Sequence, residues 1–138
     1  MCLLTARPIW AAQRSWLCRR FWGGFPAFVL QTIPNVAFLA KSLGTLCAVR
    51  TAKALGLRPR FFLLTPLEET LQELPQDADV FGAVVGTKDA HLSADQLEQF
   101  CKARAIPCLI VPDAGHRLQF EDADKTQAVN RSITAMLR

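Results

Sequence analysis

VAFLAKSLGTLCAVRTAKAL, residues 36–55, changes its hydrophobic period once, and that change decides the fold. Val36 to Ala40 is a short uncharged apolar run, the pattern of a strand buried on both faces. Leu43 to Leu55 then mixes Leu, Cys, Ala and Val with Arg50 and Lys53 on one side, the pattern of a mostly buried helix. Gly56 and Pro59 stop it. A strand running straight into a helix is the first part of a βα unit.

The unit repeats down the chain. Phe61 to Leu64 reads as a second strand, and Leu67, Leu71 and Leu74 follow at i, i+4 and i+7, a short helix ending at Pro75. Val80 to Val85 is a third strand, with Gly86 beginning a loop. Ser93-Ala94-Asp95-Gln96 is a capping-box pattern, predicting a helix over about residues 94–103 with Leu97, Phe100 and Cys101 inward. Cys108 to Val111, delayed by Pro107, is a fourth strand. Asp124 and Gln127 repeat the capping pattern before a last helix, with Val129, Ile133, Met136 and Leu137 as its apolar stripe. Four short apolar strands alternating with amphipathic helices predict an α/β fold, a parallel sheet of about four strands flanked by helices on both faces.

Composition agrees with one domain. The chain has 138 residues, 51% hydrophobic and 20% charged, which excludes a disordered chain. No glycine period, repeat or heptad run is present. The charge is uneven: residues 1–67 carry nine Lys or Arg and no carboxylate, whereas residues 68–138 carry seven against twelve Asp or Glu. Residues 1–34 also hold all three Trp, and they read as a poorly ordered basic leader before a domain over 35–138. Their Arg-rich, acid-poor composition resembles a mitochondrial presequence, and Trp with Arg could also stack on and pair with nucleic acid or an anionic membrane. Nothing arranges those residues on one face, so no nucleic-acid partner is expected. Phe21 to Ala40 lacks charge over 20 residues, but Gly23, Gly24, Pro26, Gln31, Pro34 and Asn35 interrupt it, so no membrane span is expected. Five cysteines without a C-x-x-C pair or a histidine at zinc spacing predict no metal site and a reducing, cytoplasmic setting. Cys47 and Cys108 lie in apolar runs and read as core residues.

In a parallel sheet, function gathers beyond the carboxyl ends of the strands. Lys41-Ser42 follows the first strand, Gly86-Thr87-Lys88-Asp89 the third, and Asp113-Ala114-Gly115-His116 the fourth. A serine, a carboxylate and an imidazole on one rim are the inventory for acyl transfer: the hydroxyl needs a base, and the base needs a carboxylate to fix its tautomer. Other roles for these residue types stay open. Ser42 also suits a helix N-cap, Asp89 a turn, and His116 a solvated loop. His91 is a competing histidine, and Asp113 and Asp95 are competing acids. Lys41-Ser42 is not a phosphate loop, because Val36 to Ala40 supply no glycines before the lysine.

Ala40-Lys41-Ser42-Leu43-Gly44 resembles the nucleophile elbow of the α/β-hydrolase superfamily, with Ala40 in place of the first glycine. Gly86-Thr87-Lys88-Asp89 resembles that family's acid loop, and Asp113-Ala114-Gly115-His116 its histidine loop, in the family's chain order. The resemblance covers residues 35–138, the carboxyl half of such a fold without its early strands. It implies Ser42 as nucleophile, His116 as general base, Asp89 as its orienting acid and the Leu43 backbone N–H as an oxyanion donor. It implies no cofactor and a small acyl substrate, a carboxylic ester or thioester. The family's second oxyanion donor comes from an upstream H-G loop that residues 1–34 do not contain; lacking it costs about 10²–10³ in turnover. The alternative is an inactive, truncated hydrolase-like fragment or interaction module, associating through the sheet edge where early strands would pair.

Overall fold

The computed structural model describes residues 35–138. The leader expected over 1–34 lies outside the described residues. The order is β1 (Ala37–Lys41), α1 (Leu43–Leu55), β2 (Arg60–Leu64), α2 (Glu68–Glu73), β3 (Val80–Gly86), α3 (Ala94–Ala103), β4 (Cys108–Val111) and α4 (Ala123–Met136). All four strands are parallel and stand in sequence order, β1-β2-β3-β4. Strand–helix alternation therefore yields the α/β sheet that the apolar periods predict.

Alternation within the strands sorts side chains onto two faces. Phe38, Phe61, Leu63, Ala83 and Val85 join Ala48, Val49 and Ala52 of α1 and Leu97 and Cys101 of α3 in one core. Phe62, Val84 and Val111 face the other way, onto Val129, Ile133 and Met136 of α4. One face thus carries α1 and α3, and the other carries α4. Of the described residues, Phe62, Leu63, Val84, Val85, Leu46 and Leu97 are fully buried. Among the described residues β1 pairs on one side only, with β2, and its Leu39 is 59% exposed.

Several details differ from the sequence reading. Gly86 ends β3, paired with Val111, rather than opening a loop. The N-cap of α4 is Asp122, whose side chain accepts from the Asp124 and Lys125 N–H groups, so Asp124 lies in the first turn instead. Leu137 falls past the end of α4 and stays exposed, leaving the stripe to Val129, Ile133 and Met136. Helix α2 is a six-residue piece with Leu67 and Leu74 as its caps, both buried. The capping box of α3 is complete, with Ser93 and Gln96 bonded reciprocally. Among the described residues no helix is long and apolar enough to cross a membrane.

An ion pair ties α2 to α1. Arg50 holds Glu73 through two nitrogens, the Nε bond measuring 2.9 Å. That hydrogen bond, against some desolvation and with the charges of Arg50 and Lys53, holds the Glu73 carboxyl below its ordinary value. A carboxyl depressed in the folded state stabilises the fold above its unfolded pKa, and loses that contribution as pH falls through the folded one. Glu73→Gln should therefore be less stable than the parent at neutral pH by about 1 kcal/mol or less, because both partners are a third exposed and screened. The gap should close as pH drops below the ordinary Glu value of 4.5, read by urea unfolding of both proteins across that range.

Candidate active site

The serine sits where β1 must turn into α1 within one residue. Ser42 has φ 53° and ψ −128°, a left-handed backbone that costs an L-residue about 1–3 kcal/mol. Neighbours over-determine it. The Ser42 N–H donates to the Leu64 carbonyl at 2.9 Å, and its carbonyl accepts from the Thr45 N–H at 3.0 Å. Ser42 occupies the N-cap position of α1, yet its side chain caps nothing. Its hydroxyl is directed elsewhere: Ser42 Oγ lies 2.6 Å from His116 Nε2.

His116 reaches that point from the loop after β4. Ala114 is buried against the end of β3, and a side chain at Gly86 would fall on the Ala114 carbonyl, so this approach requires glycine there. Backbone bonds lock the two loops together: Thr87 N–H to the Val111 carbonyl at 3.0 Å and Lys88 N–H to the Ala114 carbonyl at 2.9 Å. The Thr87 hydroxyl accepts from Asp113 N–H at 2.8 Å. Docked in this way, His116 Nδ1 meets both Asp89 oxygens, at 3.0 and 2.9 Å. The Asp89 side chain is fully buried, and that of His116 is 24% exposed.

These contacts fix the proton positions. A carboxylate only accepts, so Nδ1 of a neutral His116 carries the hydrogen and donates it to Asp89. Nε2 is then the acceptor, and the Ser42 O–H is the donor. The ring is thus oriented by a buried acid with its basic nitrogen against a hydroxyl. The Leu43 N–H opens α1, where the first helical N–H groups have no acceptor within the helix. The first turn of α1 carries no acid, so the positive end of its dipole remains uncompensated by a side chain there.

The competitors fall elsewhere. Asp113 is exposed and paired with Lys88 at 2.9 Å; that hydrogen bond and charge hold its carboxyl below the usual range. Asp95 lies in the first turn of α3. His91 is exposed but not remote: its ring meets the His116 ring at 4.5 Å, edge to face, and its N–H donates to Asp89 Oδ1 at 2.9 Å. No local pattern predicts that contact, because it depends on the loop closing back over Asp89. Lys41 has a role that its local sequence does not predict. Its ammonium donates to the Arg117 carbonyl at 2.8 Å, tying the serine turn to the histidine loop across 76 positions. Among the described residues no cluster of His, Cys, Asp or Glu could hold a metal ion.

No protein-family model and no curated protein matches the chain. Solved structures do. A protein from Xanthomonas campestris pv. campestris assigned to the alpha/beta hydrolase superfamily superposes with a TM-score of 0.58 at 22% identity, over 92% of this chain and 68% of its own. An alpha-beta serine hydrolase homologue from Coxiella burnetii gives 0.55 at 13% identity, over 94% and 57%. A protein from Thermoplasma acidophilum described as a CIB-like hydrolase gives 0.55 at 13%, over 91% and 58%. The chain spans about three-fifths of the length of these neighbours. With four parallel strands in one sheet and helices on both faces, it has the alpha/beta hydrolase fold over the part of those structures that it matches.

Proposed function

We propose that the chain is a serine-nucleophile hydrolase acting on small carboxylic esters or thioesters. Ser42 Oγ attacks the acyl carbon while its proton passes to His116 Nε2. Asp89 keeps Nδ1 protonated and stabilises the imidazolium that forms. The tetrahedral oxyanion faces the Leu43 N–H at the mouth of α1. His116 returns the proton to the departing alcohol or thiol. Water then repeats the sequence on the acyl-enzyme, releasing the acid and restoring Ser42. One observation carries this reading: Ser42, His116 and Asp89, from three separate loops, stand in one hydrogen-bonded line with the acid fully buried. The likeness to the Coxiella serine hydrolase homologue supports it.

The experiment is covalent labelling. A fluorophosphonate should phosphonylate the full chain once, and peptide mass mapping should place the adduct on Ser42. A second reading, an inactive interaction module, rests on the one-sided pairing of β1 among the described residues and its exposed Leu39. It predicts no adduct, together with association that strengthens with protein concentration.

A further inference from the structure

Three side chains stand out as buried and polar among the described residues, and two of them lie behind Ser42. Thr45 on α1 and Thr70 on α2 are fully buried. Thr70 is the buried residue of its six-residue helix, where the packing alone would favour an aliphatic side chain. The Thr45 hydroxyl lies 2.6 Å from the Ser42 carbonyl, to which it donates, and 2.8 Å from the Thr70 hydroxyl. A hydroxyl has one proton. Thr45 spends its proton on the carbonyl, so Thr70 must be the donor of the second bond. The order is therefore Thr70 O–H to Thr45 oxygen, and Thr45 O–H to Ser42 C=O.

We propose that Thr45 and Thr70 are positioning residues for Ser42: their buried hydroxyl chain fixes the carbonyl of the left-handed turn that aims the Ser42 hydroxyl at His116. The Ser42 carbonyl receives the Thr45 backbone N–H as well, so both its lone pairs are held. Linked hydrogen bonds in a dry interior polarise one another, and Thr70 strengthens the bond Thr45 makes. Arg50 and Glu73 pin α2 to α1 and keep Thr70 within reach. The catalytic consequence rests on the hydrolase reading; the chain of hydroxyls does not.

Its test uses the full chain with Thr45→Val, Thr45→Ser, Thr70→Val, Thr70→Ser and the double valine variant. The readouts are the fluorophosphonate labelling rate and the thermal midpoint. Thr45→Val should slow labelling about tenfold, the worth of one buried hydrogen bond, and Thr70→Val by about threefold. Both serine variants should stay within about twofold of the parent, since they keep the hydroxyl. Thr45→Val leaves the Thr70 proton buried without an acceptor, so the double variant should recover thermal stability. It should not recover labelling. Labelling that rises with stability in the double variant, or serine variants as slow as the valines, would overturn the proposal. If the parent takes no label, the hydrolase reading fails, and NMR decides the chain separately. Slowly exchanging Thr45 and Thr70 hydroxyl protons, with a His116 Nε2 resonance that moves in Thr45→Val but not in Thr45→Ser, would support it. Absence of either signature from the folded parent would refute it.

Discussion

Ser42→Ala should remove ester hydrolysis by about 10⁴- to 10⁶-fold while leaving the fold intact. In the proposed mechanism the hydroxyl carries the chemistry, and it contributes very little to the structure. Among the described residues its side-chain partner is His116, and it caps no helix end although it stands where a cap would. What holds the turn is backbone: the Ser42 N–H to Leu64, and the carbonyl to Thr45. Alanine keeps both bonds and adds no atom to a left-handed site already occupied by an L-residue. Unfolding midpoints of the two proteins should therefore agree within about 0.5 kcal/mol, the spread of substitutions that break no structural feature. Comparing initial rates on a p-nitrophenyl acyl ester, with the unfolding curves alongside, separates the two quantities. Equal rates in parent and variant would remove Ser42 from the reaction.

The same distinction explains which features the sequence exposes. Periods are local, so residues 36–55 betray a strand and a helix without help from the rest. The periods also predict the rim, since parallel strands share a carboxyl end, and they put Ser42, Asp89 and His116 on it together. Features that depend on two distant segments were invisible. The proton that Thr70 supplies reaches Thr45 across 25 positions, and the Lys41 bond crosses 76. Neither threonine belongs to an unusual pattern in the text. The N-cap of α4 lies two positions before the residue that the capping pattern predicts, for a different reason. Asp122 and Asp124 both suit an N-cap, and only the backbone, extended at Asp122 with φ −76° and ψ 114°, distinguishes them. Leu137 kept the helical spacing, but its helix ends at Met136.

The second large effect separates two histidines whose rings touch. His116→Ala should cost about as much as Ser42→Ala, and the double variant should be no worse than either, because hydroxyl and imidazole act as a unit. His91→Ala should cost about tenfold or less, since His91 meets the acid through its backbone N–H, which alanine retains. What His91→Ala removes is a ring at 4.5 Å that covers one side of His116, an exposed contact with modest worth. His116→Ala removes the proposed base and strands Asp89, whose buried carboxylate then keeps the His91 N–H among its described contacts but loses its imidazole. Burial without that partner is costly, so His116→Ala should also lose stability, and Asp89→Asn in the same background should restore part of it. Activity should stay at the His116→Ala level in that double variant. Hydrolysis rates and urea midpoints for the parent and these five variants test both halves. A His91→Ala loss equal to that of His116→Ala would mean that the nearer ring is not the base, and would move the proton acceptor to the exposed side of the pair.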